Sequence, residues 1–93
     1  YTIPLEDILY ITTDTNARKT LIITNYTTFK VSKTLANIEK KLSNTFIRTH
    51  RSCIVNKDHV VYMDMKKQKI FLDNQETLGL LSRAFKQKKI EIG

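Results

Sequence analysis

With 93 residues the chain is sized for one domain with a modest core, and 41% hydrophobic with 27% charged residues excludes a disordered or membrane-like composition. No apolar run approaches the ~20 residues needed to span a bilayer, no signal peptide opens the chain, and a single cysteine, Cys53, excludes an internal disulfide framework and fits a reducing cytoplasm. The net charge of +7, from 16 Lys and Arg against 9 Asp and Glu, favours polyanionic partners: nucleic acid first, an acidic membrane surface or acidic protein second.

Tyr1-Thr2-Ile3-Pro4 reads as mid-chain sequence, so the expected context is a longer protein with a preceding regulatory domain. Ile3–Ile11 starts a β region with a short turn at Leu5-Glu6-Asp7. Thr20–Thr24 and Thr27–Val31 are β-branched and aromatic, and Asn25-Tyr26 between them makes a hairpin. Ser32 is the expected N-cap of a helix over Lys33–Leu42, in which Leu35, Ile38 and Leu42 recur at helical spacing and Ser43-Asn44 ends the run. Short strands follow at Phe46–Arg48 and Cys53–Val55, flanking a loop at Thr49–Ser52. Val60–Met65 and Lys69–Asp73 form a second hairpin through Lys66-Lys67-Gln68, Glu76–Leu80 is another strand after a turn at Asp73-Asn74-Gln75, and Ser82 caps a final helical turn over Arg83–Lys88. The reading is mainly β, several short antiparallel sheets with one short helix and a C-terminal helical turn. Two adjacent helices of helix-turn-helix length are missing, so any DNA contact must come from loops or β-elements.

Reactive groups do not converge. His50-x-x-Cys53 supplies two ligands, His59 a third, and nothing a fourth, whereas a structural zinc site wants four. Cys53 alternates as a buried strand residue, which argues against a nucleophile paired with His50. Two glycines cannot build a Gly-rich phosphate loop, and the acidic residues form no general acid/base pair. No enzyme activity, metal or cofactor is expected. Arginine is scarce by contrast: Arg18, Arg48, Arg51 and Arg83 are the only four. Its planar fork suits bidentate recognition of guanine O6 and N7, whereas lysine offers phosphates a less directional charge. Arg18, Arg51 and Arg83 fall near loops or element ends, and Arg48 reads as a strand residue paired with an acidic neighbour. Any one exposed arginine is more often simply solvated, and the run Lys86-Gln87-Lys88-Lys89 either solubilises the chain or contacts phosphates.

Phe46-Ile47-Arg48-Thr49-His50-Arg51-Ser52-Cys53-Ile54-Val55-Asn56 resembles the signature F-x-R-x-H-R-S-x-x-V-N of the LytTR family, the DNA-binding output domain of bacterial response regulators. Ile8-Leu9-Tyr10-Ile11 resembles the family's opening strand, with Thr12 where an acidic residue is common. Ser32–Leu42 resembles its helix, and Ser82-Arg83 its closing pair. The resemblance covers nearly the whole chain. It implies a β fold of several short sheets whose loops enter successive major grooves of promoter DNA. The positions that match the family's base contacts are the loop around Asn16, Ala17, Arg18 and Lys19, the loop after His50 with Arg51, and the loop-to-helix junction at Arg83, with Lys86 beside it. The first loop varies in length across the family, so Arg18 and Lys19 match least well. His50 either holds its loop by hydrogen bonding, the commoner use, or touches DNA. Asn56 is expected to cap a turn, and Phe46, Ile54 and Val55 to be core. The resemblance further implies a cytoplasmic effector domain of a two-component regulator, with an N-terminal receiver domain in the full-length protein. The isolated domain would be monomeric, and two copies would pair on tandem direct repeats of double-stranded DNA. An RNA-binding module or a basic protein-interaction domain is the alternative. The former wants exposed aromatics, whereas Tyr10, Tyr26, Phe29, Phe46, Tyr62, Phe71 and Phe85 fall mostly at core-like positions.

Overall fold

Each run of β-branched and aromatic residues is found in a strand, where stiff side chains pack well on a pleated surface. The computed structural model describes residues 2–85. In chain order these form β1 (Ile8–Asp14), β2 (Lys19–Thr24), β3 (Thr28–Val31), α1 (Leu35–Glu39), β4 (Phe46–His50), β5 (Cys53–Asn56), β6 (Val60–Asp64), β7 (Lys69–Leu72) and β8 (Thr77–Leu78). Single 3-10 turns at Leu5–Asp7 and Lys57–His59 precede β1 and β6. The strands make two antiparallel sheets, ordered β3-β2-β1-β5-β4 and β6-β7-β8. None of the described helices is long and apolar enough to cross a membrane.

Period-two alternation sends the neighbours Ile54 and Val55 to opposite faces of the larger sheet. Ile54 packs with Ile8, Ile11 and Ile22 beneath Leu35 and Ile38 of α1. Val55 and Leu9 pack with Ile70, Leu72, Leu78 and Leu81, so the smaller sheet covers the other face. The five-stranded sheet is thus the middle of three layers, and both sides of β5 are fully buried. Asn56, only 1% exposed, is satisfied there: Nδ2 donates to the Ile8 carbonyl at 2.9 Å, and Oδ1 accepts the Asp58 N–H at 3.0 Å, capping the second 3-10 turn as expected.

Several boundaries differ from the sequence reading. α1 begins at Leu35 with Thr34 as its N-cap, whose hydroxyl accepts the Asn37 N–H at 3.2 Å, rather than at Lys33 with Ser32 as cap. The two residues before the cap face β2 instead: Ser32 Oγ accepts from Lys19 Nζ at 2.6 Å, and the Lys33 carbonyl accepts from Thr20 Oγ1 at 2.6 Å. Strand β1 runs on to Asp14 because Thr12, Thr13 and Asp14 pair with Leu21, Thr20 and Lys19. Strand β4 includes Thr49 and His50, leaving only Arg51 and Ser52 in the turn, and β8 is cut to two residues. Two aromatics read as core are exposed, Tyr26 at 62% and Tyr62 at 58%, the latter stacked on Phe71 at 5.9 Å.

His59 bridges the turn before β1 and the residue that follows β7. Its Nε2 donates to the Glu6 carbonyl and its Nδ1 lies against the Asp73 carboxylate, each at 2.7 Å. Both ring nitrogens face acceptors, an arrangement fully satisfied only by the imidazolium, so the Glu6 carbonyl first, then Asp73, raises the His59 pKa against the opposing effect of burial. A pKa raised in the folded state gives stability that is complete below the ordinary histidine value and is lost as pH rises through the folded value. Thermal melts between pH 5 and 8.5 should therefore show a midpoint that declines with pH above about 6.5; in His59→Gln that component of the decline should disappear. An unchanged pH profile in the variant would remove His59 from this role.

Candidate nucleic-acid interface

The sequence's most distinctive segment folds into a two-residue turn between β4 and β5, with a register irregularity between Arg48 and His50. Arg48 braces it. Its Nε donates to the His50 carbonyl at 3.0 Å and Nη2 to the Arg51 carbonyl at 2.6 Å, while Nη1 pairs with Glu39 of α1 at 2.7 Å. The fork geometry of guanidinium makes this possible where an ammonium could not reach all three acceptors. Arg48 is therefore the strand arginine with an acidic neighbour that its position suggested. His50 braces the turn from the other side: Nδ1 accepts the Ser52 N–H at 3.2 Å and lies 2.9 Å from the Ser52 hydroxyl. Because Nδ1 accepts, the neutral ring carries its proton on Nε2, which has no partner among the described residues. His50 thus holds the loop and also keeps one donor available. Arg51, whose carbonyl is taken by Arg48, has an exposed side chain without a partner among the described residues.

The turn is bonded to the end of β1, just before the loop to β2. The Ser52 carbonyl accepts from Thr13 N at 3.3 Å and Thr12 Oγ1 at 2.8 Å. In that loop Asp14 Oδ1 accepts the Asn16 and Ala17 N–H groups, and Arg18 sits at φ 53, a left-handed conformation that costs a non-glycine residue about 1 kcal/mol. The Arg18 side chain is exposed and unpartnered among the described residues. Lys19 is half-buried, with its ammonium held by Ser32, beside a 350 Å³ groove that Arg18, Ser32 and Lys33 also line.

The third segment joins at Thr49, which the sequence placed in a loop but which is buried. Its carbonyl accepts the Ser82 N–H at 2.8 Å, and its hydroxyl donates to the Leu80 carbonyl at 2.9 Å. The next residue, Arg83, is exposed, and its Nε donates to Gln68 Oε1 at 3.1 Å. Ser82 Oγ accepts the Ala84 N–H, which makes a turn at the expected helix start; Lys86, Gln87 and Lys88 of the expected Arg83–Lys88 turn lie outside the described residues. The fold therefore brings Arg18, Lys19, His50, Arg51 and Arg83 to one end of the larger sheet. Arg48, Thr49 and Gln68 support them, and sequence pattern alone does not mark these three as site residues. Arg48 alone had a signal, its place inside the motif.

Among the described residues no three His, Cys, Asp or Glu side chains converge. Cys53 is fully buried, and burial pushes its thiol up to about 11, with Thr49 and Arg48 pulling weakly the other way. The thiolate is the reactive form, so an aromatic disulfide reagent at pH 8 should leave Cys53 unmodified in the folded chain and titrate it fully in 6 M urea. Rapid modification without denaturant would contradict this burial.

A search of curated proteins returns no match. A family model described as the LytTr DNA-binding domain matches residues 1–89. Among solved structures, the chain is similar to the LytTr DNA-binding domain of a protein from Bacillus cereus described as a methyl-accepting/DNA response regulator. That similarity has a TM-score of 0.76 and 25% identity, over 85% of this chain and 74% of the other. With the mainly β, two-sheet fold, the motif-bearing turn and a family match over nearly its full length, the chain belongs to the LytTr DNA-binding domain family.

Proposed function

We propose that this DNA-binding domain is the effector of a two-component transcription regulator, reading double-stranded promoter DNA by placing loops in successive major grooves of tandem direct repeats. Arg51, Arg83 and Arg18 read base edges, His50 offers its Nε2–H, and Lys19, Lys86 and loop backbone amides engage phosphates and set the register. The observation that carries this reading is the convergence of three arginine-bearing segments on one end of the sheet, with the Arg18 and Arg51 guanidinium groups exposed and uncommitted among the described residues. Membership of the family supports DNA as the partner. The domain acts by binding, without catalysis or cofactor. It works in the cytoplasm, downstream of a receiver domain in the full-length protein, and two otherwise monomeric copies share one promoter site.

Selection of bound duplexes from a random pool, followed by titration of the winner at 50–300 mM salt, tests this. A recovered direct repeat that binds two copies, with log affinity falling linearly against log salt, is the expected result. No enrichment, or affinity indifferent to salt, counts against it. One observation favours a single-stranded ligand instead, the exposed Tyr62 ring stacked on Phe71, since unpaired bases stack on such rings. Competition of the selected duplex with single-stranded DNA and RNA separates the two, and displacement by single strands at equal concentration would favour the second.

A further inference from the structure

The β6–β7 turn is built like the β1–β2 turn. Each spans four residues between an aspartate and a lysine paired in register, Asp14 with Lys19 and Asp64 with Lys69. In each the aspartate Oδ1 accepts backbone N–H groups of the turn, from Asn16 and Ala17 in one and from Lys67 in the other. In each the fourth residue is left-handed without being glycine, Arg18 at φ 53 and Gln68 at φ 54. The spacing is visible as Asp14-x-x-x-Arg18-Lys19 and Asp64-x-x-x-Gln68-Lys69. The second turn is bonded to the segment that carries Arg83: Gln68 Nε2 donates to the Leu81 carbonyl at 3.1 Å, and Gln68 Oε1 accepts from Arg83 Nε. That segment is in turn bonded to Thr49 of β4, so the β6–β7 turn reaches the same end of the molecule. Lys66 and Lys67 at its tip are exposed, and neither is in an ion pair among the described residues.

We propose that the β6–β7 turn is a fourth DNA-facing element, in which Lys66 and Lys67 engage backbone phosphates and Gln68 is a positioning residue that aims the Arg83 guanidinium. The inference rests on the DNA-binding reading above and deepens it. An amide suits this position because it donates to one backbone carbonyl and accepts from the guanidinium at once, which leaves both Arg83 Nη groups available for a bidentate contact. The lysines are point charges on flexible stems, suited to phosphates and not to base edges.

The test uses the 93-residue chain and the duplex recovered by selection, with anisotropy titrations across a salt series. Each phosphate contact adds about 0.9 to the slope of log affinity against log salt. Lys66→Ala with Lys67→Ala should therefore flatten the slope by about 1.8 and weaken all duplexes alike, without altering preference. Gln68→Gly keeps the left-handed backbone free of strain while removing the amide. It should relax preference at the base position that Arg83→Ala also relaxes, and the double variant should discriminate no worse than Arg83→Ala alone. Thermal midpoints check that each variant folds. A wild-type complex whose slope is unchanged by the lysine replacements, or additive losses from Gln68→Gly and Arg83→Ala, would overturn the inference while leaving the DNA-binding reading intact. Absence of any salt-dependent duplex complex with the wild type would overturn both.

Discussion

Arg51→Ala should weaken binding to the selected duplex by about 1–3 kcal/mol, roughly a 5- to 150-fold rise in Kd, and relax preference at a single base position. It should do so without moving the thermal midpoint, because the Arg51 side chain is exposed and has no partner among the described residues. The turn itself is held by its neighbours: Arg48 donates to the His50 and Arg51 carbonyls, and His50 Nδ1 accepts from Ser52. Arg48→Ala provides the contrast. It deletes the brace and leaves two turn carbonyls without their donor, so stability and affinity should fall together. Anisotropy titration and thermal melts of both variants check the distinction. If Arg51→Ala keeps wild-type affinity and sequence preference at fixed salt, Arg51 reads no base.

Ile54→Ala should destabilise the chain by about 2–5 kcal/mol, the range for deleting a large aliphatic side chain from a packed core. Ile54 is 0% exposed, and β5 is bonded to β1 on one side and β4 on the other. The cavity would open against Ile8, Ile11, Ile22, Leu35 and Ile38, in the middle layer, where neither face can collapse toward solvent. Against a typical total of about 5–15 kcal/mol, such a loss leaves a small domain marginal. Urea titration of the two proteins measures it from the shift in midpoint, and a difference below about 1 kcal/mol would mean that the site repacks.

The strands were legible because their evidence is local. Thr20–Thr24 and Val60–Asp64 carry stiff side chains between turn-forming residues, and Asn56 has the short polar side chain a cap needs. The motif placed Arg51 in its turn and Arg48 in its strand. What escaped reading is decided between segments far apart in the chain. Ser32 is the better capping type, yet Thr34 caps the helix, and the Ser32 hydroxyl is engaged by Lys19, 13 residues earlier. Thr49 reads as loop because its partners, Leu80 and Ser82, lie more than thirty residues downstream. The Gln68–Arg83 contact joins residues 15 apart, across β7 and β8. Tyr62 has the residue type of a core position and the exposure of a surface one, which no alternation within β6 announces, since a bulge between Val60 and Tyr62 shifts the register.

The segments at the arginine-bearing end are joined by backbone hydrogen bonds, Thr13 to Ser52 and Ser82 to Thr49, rather than by flexible side chains alone. Conformational entropy that a mobile loop would surrender on meeting its ligand has here been surrendered already, when the chain folded. Recognition then resembles the docking of a preformed die: association should approach the electrostatically steered limit, and sequence differences among duplexes should register mainly in how long each complex survives.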